Sequence, residues 1–420
     1  MKNIKALLIV AMSLATAWAI RGQFGHEQGA AWAGAIGGLA LVLASGRSDW
    51  YRKIWLITLA SAIGWGIGGM ISYGMVVGYG RAENFVNAYY GLGMLFVIGG
   101  LFGLLGGGLV GLTLDSTSSN KVKWGALISQ MTAGGLVFYF FLVYQIGFKM
   151  TPPRSEAWAF CLGAGMAMLW YMAREKRNSA IRVAIFSMLG GGIGFSFGNF
   201  LQIGGDVLEI QFNMWNVMEY SIGFFGGLGM AYGVFSSRWP ENVPEPKKWE
   251  NWTALILVGV FIPLIVFRET LSYSRFIKRF ENLPDVQSLA TDSTVATLVL
   301  LVALILLLVW KMKNYSFKRK DALINYFALF IIYMVFSYLI KGLLAGNTEI
   351  NHHLYVVNIL VLYLLMRKEI PAFFNKLTDA IPVSRWMWTL VGIAGFIALL
   401  AWVAISIHTD IGGHDRFPLE

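Results

Sequence analysis

Cysteine is almost absent. Cys161 is the single one in 420 residues, which excludes an internal disulfide and any cysteine-rich metal or iron–sulfur centre. Charge is scarce as well: 13% of residues are charged, about half the ~25% usual in soluble domains. The sequence has no Walker A loop, no H-E-x-x-H, no G-x-S-x-G and no dinucleotide fingerprint. No cofactor and no bound metal are therefore expected, and ATP-driven work would need a separate subunit. "GWGIGG" and "GLLGGG" are glycine-rich but lie inside apolar runs, where helix packing explains them better than phosphate binding. The ten-residue alternation of a membrane barrel strand is missing too.

What remains is hydrocarbon. Hydrophobic residues make up 57% of the chain, and the mean hydropathy is +0.61. Long apolar runs recur, each able to cross a ~30 Å hydrocarbon core as a helix. The reading is an all-α polytopic membrane protein, with the lipid bilayer as its first partner. Thirteen spans are expected, near 3–20, 29–46, 54–76, 88–113, 125–147, 157–173, 181–203, 215–236, 252–268, 293–311, 322–344, 351–366 and 387–408. The opening "MKNIKALLIVAMSLATAWA" also reads as a signal peptide, and its cleavage would leave twelve.

The net charge of +10 comes from short loops rather than from a nucleic-acid motif, so no nucleic-acid partner is expected. The loops fall into two alternating sets, and one set holds 23 of the 33 Lys and Arg residues. By the positive-inside rule that side is cytoplasmic. The expected location is the inner (plasma) membrane, with the N-terminus inside and the C-terminus outside.

Glycine divides the chain: 41 of 48 precede residue 239, ahead of the proline-bearing linker "SSRWPENVPEPKKWEN" at 236–251. Within that part, "AWAGAIG" (31–37) aligns with "AWAFCLG" (157–163), and "SAIGWGIG" (61–68) with "SMLGGGIG" (187–194), both at an offset of 126. A glycine-rich tandem repeat of four plus four helices is the expectation, with units 1–115 and 125–238 followed by a five-helix region, 252–408. Pairing the first span with the fifth favours retaining the first.

Polar residues gather in the loops on the less basic side. "AIRGQFGHEQGAAWAG" (19–34) places Arg21, Gln23, His26 and Glu27 between two apolar runs, with glycines exposing backbone N–H groups near a helix start. Arg21 can grip a carboxylate in bidentate fashion. A loop salt bridge between Arg21 and Glu27 is the bland alternative. Further substrate-binding candidates on that side are Tyr73, Asn199, Gln202, Asp206, Asn216 and Glu219, with Trp32, Tyr89, Tyr90, Trp215 and Tyr220 as possible stacking surfaces. Glu27 or Glu219, if desolvated, can carry a proton. Arg81 is expected to lie in a mobile loop.

The leading expectation is a secondary transporter of a small polar or anionic solute, a sugar or sugar acid among the candidates, with proton coupling an option. Catalytic residues are not assigned. The alternative is a membrane-embedded transferase using His26, Glu27 and His353 on a lipid-linked or periplasmic substrate.

Overall fold

The computed structural model describes residues 2–241, 245–316, 318–369, 371–381, 383–408 and 411–418, and among these every regular element is helical. The glycine-rich part forms α1 (Lys2–Arg21), α2 (His26–Ser45), α3 (Ser48–Arg52), α4 (Ile54–Gly69), α5 (Gly74–Gly80) and α6 (Phe85–Asp115). It continues with α7 (Trp124–Phe138), α8 (Glu156–Arg174), α9 (Asn178–Val207) and α10 (Met214–Phe235). The rest forms α11 (Lys248–Ile256), α12 (Ile262–Val266), α13 (Tyr273–Arg279), α14 (Val286–Lys313), α15 (Arg319–Lys341), α16 (Ile350–Met366) and α17 (Val383–Ile407). Among the described residues nine helices are long and apolar enough to cross a membrane, or ten if α4 and α5, bent by 67°, count as one span. That composition fits a polytopic membrane protein.

Six helices close into a ring in the order α1, α2, α4, α6, α9, α10 and back to α1. The seams are lined with small residues, which let backbones come close. A Cβ on Gly34 would lie 2.7 Å from the Ser61 carbonyl oxygen on α4, one on Gly68 2.7 Å from Phe102 Cα on α6, and one on Gly194 2.6 Å from the Ser221 carbonyl on α10. Gly223 closes the ring, its Cβ position 2.6 Å from the Leu14 carbonyl of α1. Contacts pair rising with falling residue numbers, as in Gly99 with Gly191 and Gly111 with Ala180, so the neighbours are antiparallel. The ring thus consists of three hairpins. Its centre is plugged by aromatic rings: Trp18 meets Trp65 at 5.1 Å and Phe102 at 5.5 Å, and Phe102 meets Phe195 at 6.0 Å.

The α7–α8 hairpin lies outside the ring. Of the glycines aligned at offset 126, Gly37 and Gly163 each face the preceding helix of their hairpin, at Leu14 and at Gly134. Gly64 and Gly190 each face the following one, at Leu105 and at Phe225. The middle contact differs: α4 packs on α2, whereas the corresponding face of α9 packs on α6, where Gly192 meets Phe96.

The ring has two ends. One, the base, carries the starts of α1, α4 and α9; there Arg182 donates to Ser236, Ser237 and the Ala380 carbonyl. The other, the mouth, gathers the three hairpin turns. α15 and α16 pack against α1, α15 also against α2, and α17 packs against α6 and α9. The chain's last described residues return to the mouth, where Asn87 accepts from the backbone N–H groups of Arg416 and Phe417 at 2.7 and 2.8 Å. Residues 242–244 of the linker, and Glu420, lie outside the described residues.

Candidate functional site

The turn after α1 is short because Gly25 adopts φ of 89°, which favours glycine, and it precedes α2 without a side-chain cap. Arg21 therefore ends α1 pointing along the mouth rather than into solvent, and it is 1% exposed. Its guanidinium sits 4.7 Å from the Trp18 ring, directly above the aromatic plug. Nε and Nη2 donate to Glu219 Oε2 at 3.3 and 3.2 Å, and Nη2 donates to the Tyr73 hydroxyl at 2.7 Å. Tyr73 in turn donates to Glu219 Oε1. The break between α4 and α5 is what swings Tyr73 inward, where its ring also meets His26 at 5.5 Å and Phe195 at 4.9 Å.

This closed triad forms the floor of a cavity of about 670 Å³. Its wall includes Gly22, Gln23, Gly25 and His26 of the first turn, Ser72 and Gly74 of the α4–α5 break, and Asn213, Trp215 and Asn216 at the start of α10. Two basic residues complete it, Arg279 of α13 and Lys341 of α15. Outer helices hold the wall in place: Ser337 of α15 donates to Gln23 Oε1 at 3.0 Å, and Asn216 donates to the Ala19 carbonyl at 3.1 Å and to the Tyr355 hydroxyl of α16. Glu219, the one carboxylate in the wall among the described residues, is already engaged by Arg21 and Tyr73, and Lys341 pairs with Glu349 at 2.6 Å. Arg279 forms no ion pair, and His26 Nδ1 no hydrogen bond, with any described residue. The wall is electropositive and can hold an anion.

Of the sequence candidates, Arg21, Gln23, His26, Tyr73, Asn216 and Glu219 meet at this cavity. Glu27 does not: it is exposed, on the outer side of α2. Asn199 and Gln202 are buried on α9 and bond to each other at 3.2 Å, away from the wall. Asp206 forms an ion pair with Arg81, so the loop holding Arg81 is tied to α9 rather than hanging free. Trp32 is stacked on Tyr333 at 4.8 Å in the core, leaving Tyr73 and Trp215 as the candidate aromatics at the cavity. Sequence reasoning missed Arg279 and Lys341, because the region after 252 reads as ordinary lipid-facing helix. No protein-family model, curated protein or solved structure matches the chain.

Proposed function

We propose that the protein is a secondary transporter that moves a small organic anion, sugar acids among the candidates by size, across the inner membrane. The observation that carries this reading is the mouth cavity, a volume in the range of small-ligand sites, lined by Arg21, His26, Arg279 and Lys341 against the single engaged Glu219. Below it the buried rings of Trp18, Trp65, Phe102 and Phe195 pack together, which supports reading this arrangement as an outward-facing state. An incoming carboxylate competes with Glu219 for Arg21. A buried carboxylate stripped of its guanidinium costs several kcal/mol unless it takes up a proton, which links solute to proton through Glu219 rather than the exposed Glu27.

In this reading thirteen spans cross the bilayer: the nine, the bent pair, and the more polar or shorter α8, α10 and α16. The basic base faces the cytoplasm. Units 1–115 and 125–238 are tandem copies, supported by the matching contacts of Gly37 with Gly163 and Gly64 with Gly190, and 252–408 supplies the outer wall.

The test is uptake by purified protein in proteoliposomes under an imposed proton gradient, with a panel of labelled small carboxylates and neutral sugars. Accumulation of an anion supports the proposal. Chemical conversion without accumulation would replace it with the membrane-enzyme reading.

A further inference from the structure

A second cavity, of about 690 Å³, lies on the flank of the molecule and shares no residue with the mouth. Its walls are apolar: Leu59, Ile63 and Ile67 of α4, Leu109 of α6, Ile128 of α7 and Phe160 of α8. It exists because α7 and α8 stand outside the ring and lean on it without filling the angle. From Lys53, at the foot of α4, to Ile67 the helix rises about 21 Å. That is the depth of one bilayer leaflet and more.

The two ends of this groove differ. At the base it is bordered by Lys53, Lys121 and Lys247, with Glu245 and Glu250 the two acidic residues there. Glu245 pairs with Arg52 and Glu250 accepts from the backbone N–H of Lys247 at 2.7 Å, so the three lysines still outweigh the two carboxylates. Lys53 is 6% exposed, its ammonium donating to the Ser116 carbonyl at 3.0 Å where α6 ends. Trp124, 38% exposed, stands beside these lysines at the start of α7. An apolar slot running into the membrane, ending in a basic rim and an indole at headgroup height, is complementary to one kind of molecule.

We propose that this groove is a binding site for an anionic membrane lipid of the leaflet on the basic side. Its acyl chain lies along α4 against Leu59, Ile63 and Ile67, and its phosphate is held by Lys53, Lys121 and Lys247. Any membrane groove fills with lipid; this one selects for negative charge. Each lysine near the surface is worth roughly a fivefold preference.

Trp124 supplies the readout. The full-length protein is placed in vesicles containing phosphatidylglycerol or phosphatidylcholine with brominated acyl chains, which quench a tryptophan on contact. The Trp124 signal is the difference between the native protein and Trp124→Phe. Half-quenching is expected at a roughly twentyfold or more lower mole fraction of the brominated phosphatidylglycerol, with the preference reduced by high salt. Lys53→Gln/Lys121→Gln/Lys247→Gln should equalise the two lipids. If burial of Lys53 makes that variant unstable, Lys121→Gln alone, at an exposed residue, should lower the preference by roughly fivefold. Equal quenching by the two lipids in the native protein, or a preference untouched by salt and by Lys121→Gln, overturns the proposal.

Discussion

Arg21 and Glu219 stand 198 positions apart in the chain, yet their side chains meet at 3.2 Å with almost no exposure to solvent. The pair joins the first and last helices of the ring at the level of the cavity floor. Removing one partner strands the other in a dry site, which costs about 3–5 kcal/mol, whereas removing both leaves no lone charge. Arg21→Met and Glu219→Gln should each lower the melting temperature in detergent markedly. The double variant Arg21→Met/Glu219→Gln should recover much of the loss. Strictly additive effects would show that the two do not act as a pair.

Tyr73 bridges the same two groups, so Tyr73→Phe removes one acceptor for Arg21 and one donor to Glu219 while keeping the ring against Phe195. The cost should be about 1–3 kcal/mol. In proteoliposomes the variant should remain folded and show weakened anion uptake; uptake at native level would remove Tyr73 from the site.

Arg279 is the cation of the wall that forms no ion pair among the described residues. Arg279→Gln should leave stability unchanged and weaken anion binding by about ten- to a hundredfold, the worth of one charge-assisted hydrogen bond of ~1.5–3 kcal/mol. Calorimetric titration checks it, and unchanged affinity would place the anion elsewhere.

The seams give a prediction of opposite signs on one helix. Gly103→Ala drives a methyl group into the Ser187 carbonyl of α9, whereas Gly93, also on α6, has nothing within 4 Å. The first should cost about 1–3 kcal/mol by overpacking. Gly93→Ala should be neutral or stabilising by up to about 1 kcal/mol. Thermal shifts of the same sign in both would mean that α6 and α9 are not in close contact.

Burial lowers the Lys53 ammonium to about 8 from its usual 10.5, against the opposing pull of Asp49 and Glu250. Between those values the unfolded chain holds a proton that the folded one has released, so raising the pH from 8 to 10.5 should stabilise the fold through this residue. Below pH 8 both states are charged and the burial cost is constant. Lys53→Met should flatten this rise in melting temperature; an identical slope in the variant assigns it to other groups.

Helical spans and the polar character of the mouth were legible because lipid enforces composition run by run, and hairpin turns collect what cannot be buried. The identity of Arg21's partner was not. Both Arg21 and Glu27 were expected to face the cavity, with a loop salt bridge between them as the bland alternative, but Gly29 fixes the inward face of α2 by packing on the Arg21 carbonyl. At 100° per residue, Glu27 stands some 200° away and faces outward. Glu219 was visible as an isolated carboxylate, and only ring closure brings it to Arg21. Arg279 and Lys341 carried no signal, since nothing in "YSRFIKR" or at the end of α15 tells which helix each will lie beside.

Ring closure also sets a timetable. During synthesis Arg21 is made 198 residues ahead of the carboxylate that neutralises it, an interval of roughly 10 to 40 s at ordinary elongation rates of 5–20 residues per second. For that time α1 has no α10 to lie against, and its terminal arginine must be kept at the membrane surface by water and lipid headgroups. Among the six ring helices α1 is therefore made first and is among the last to be fixed in place, and the cavity floor is assembled only when residue 219 arrives.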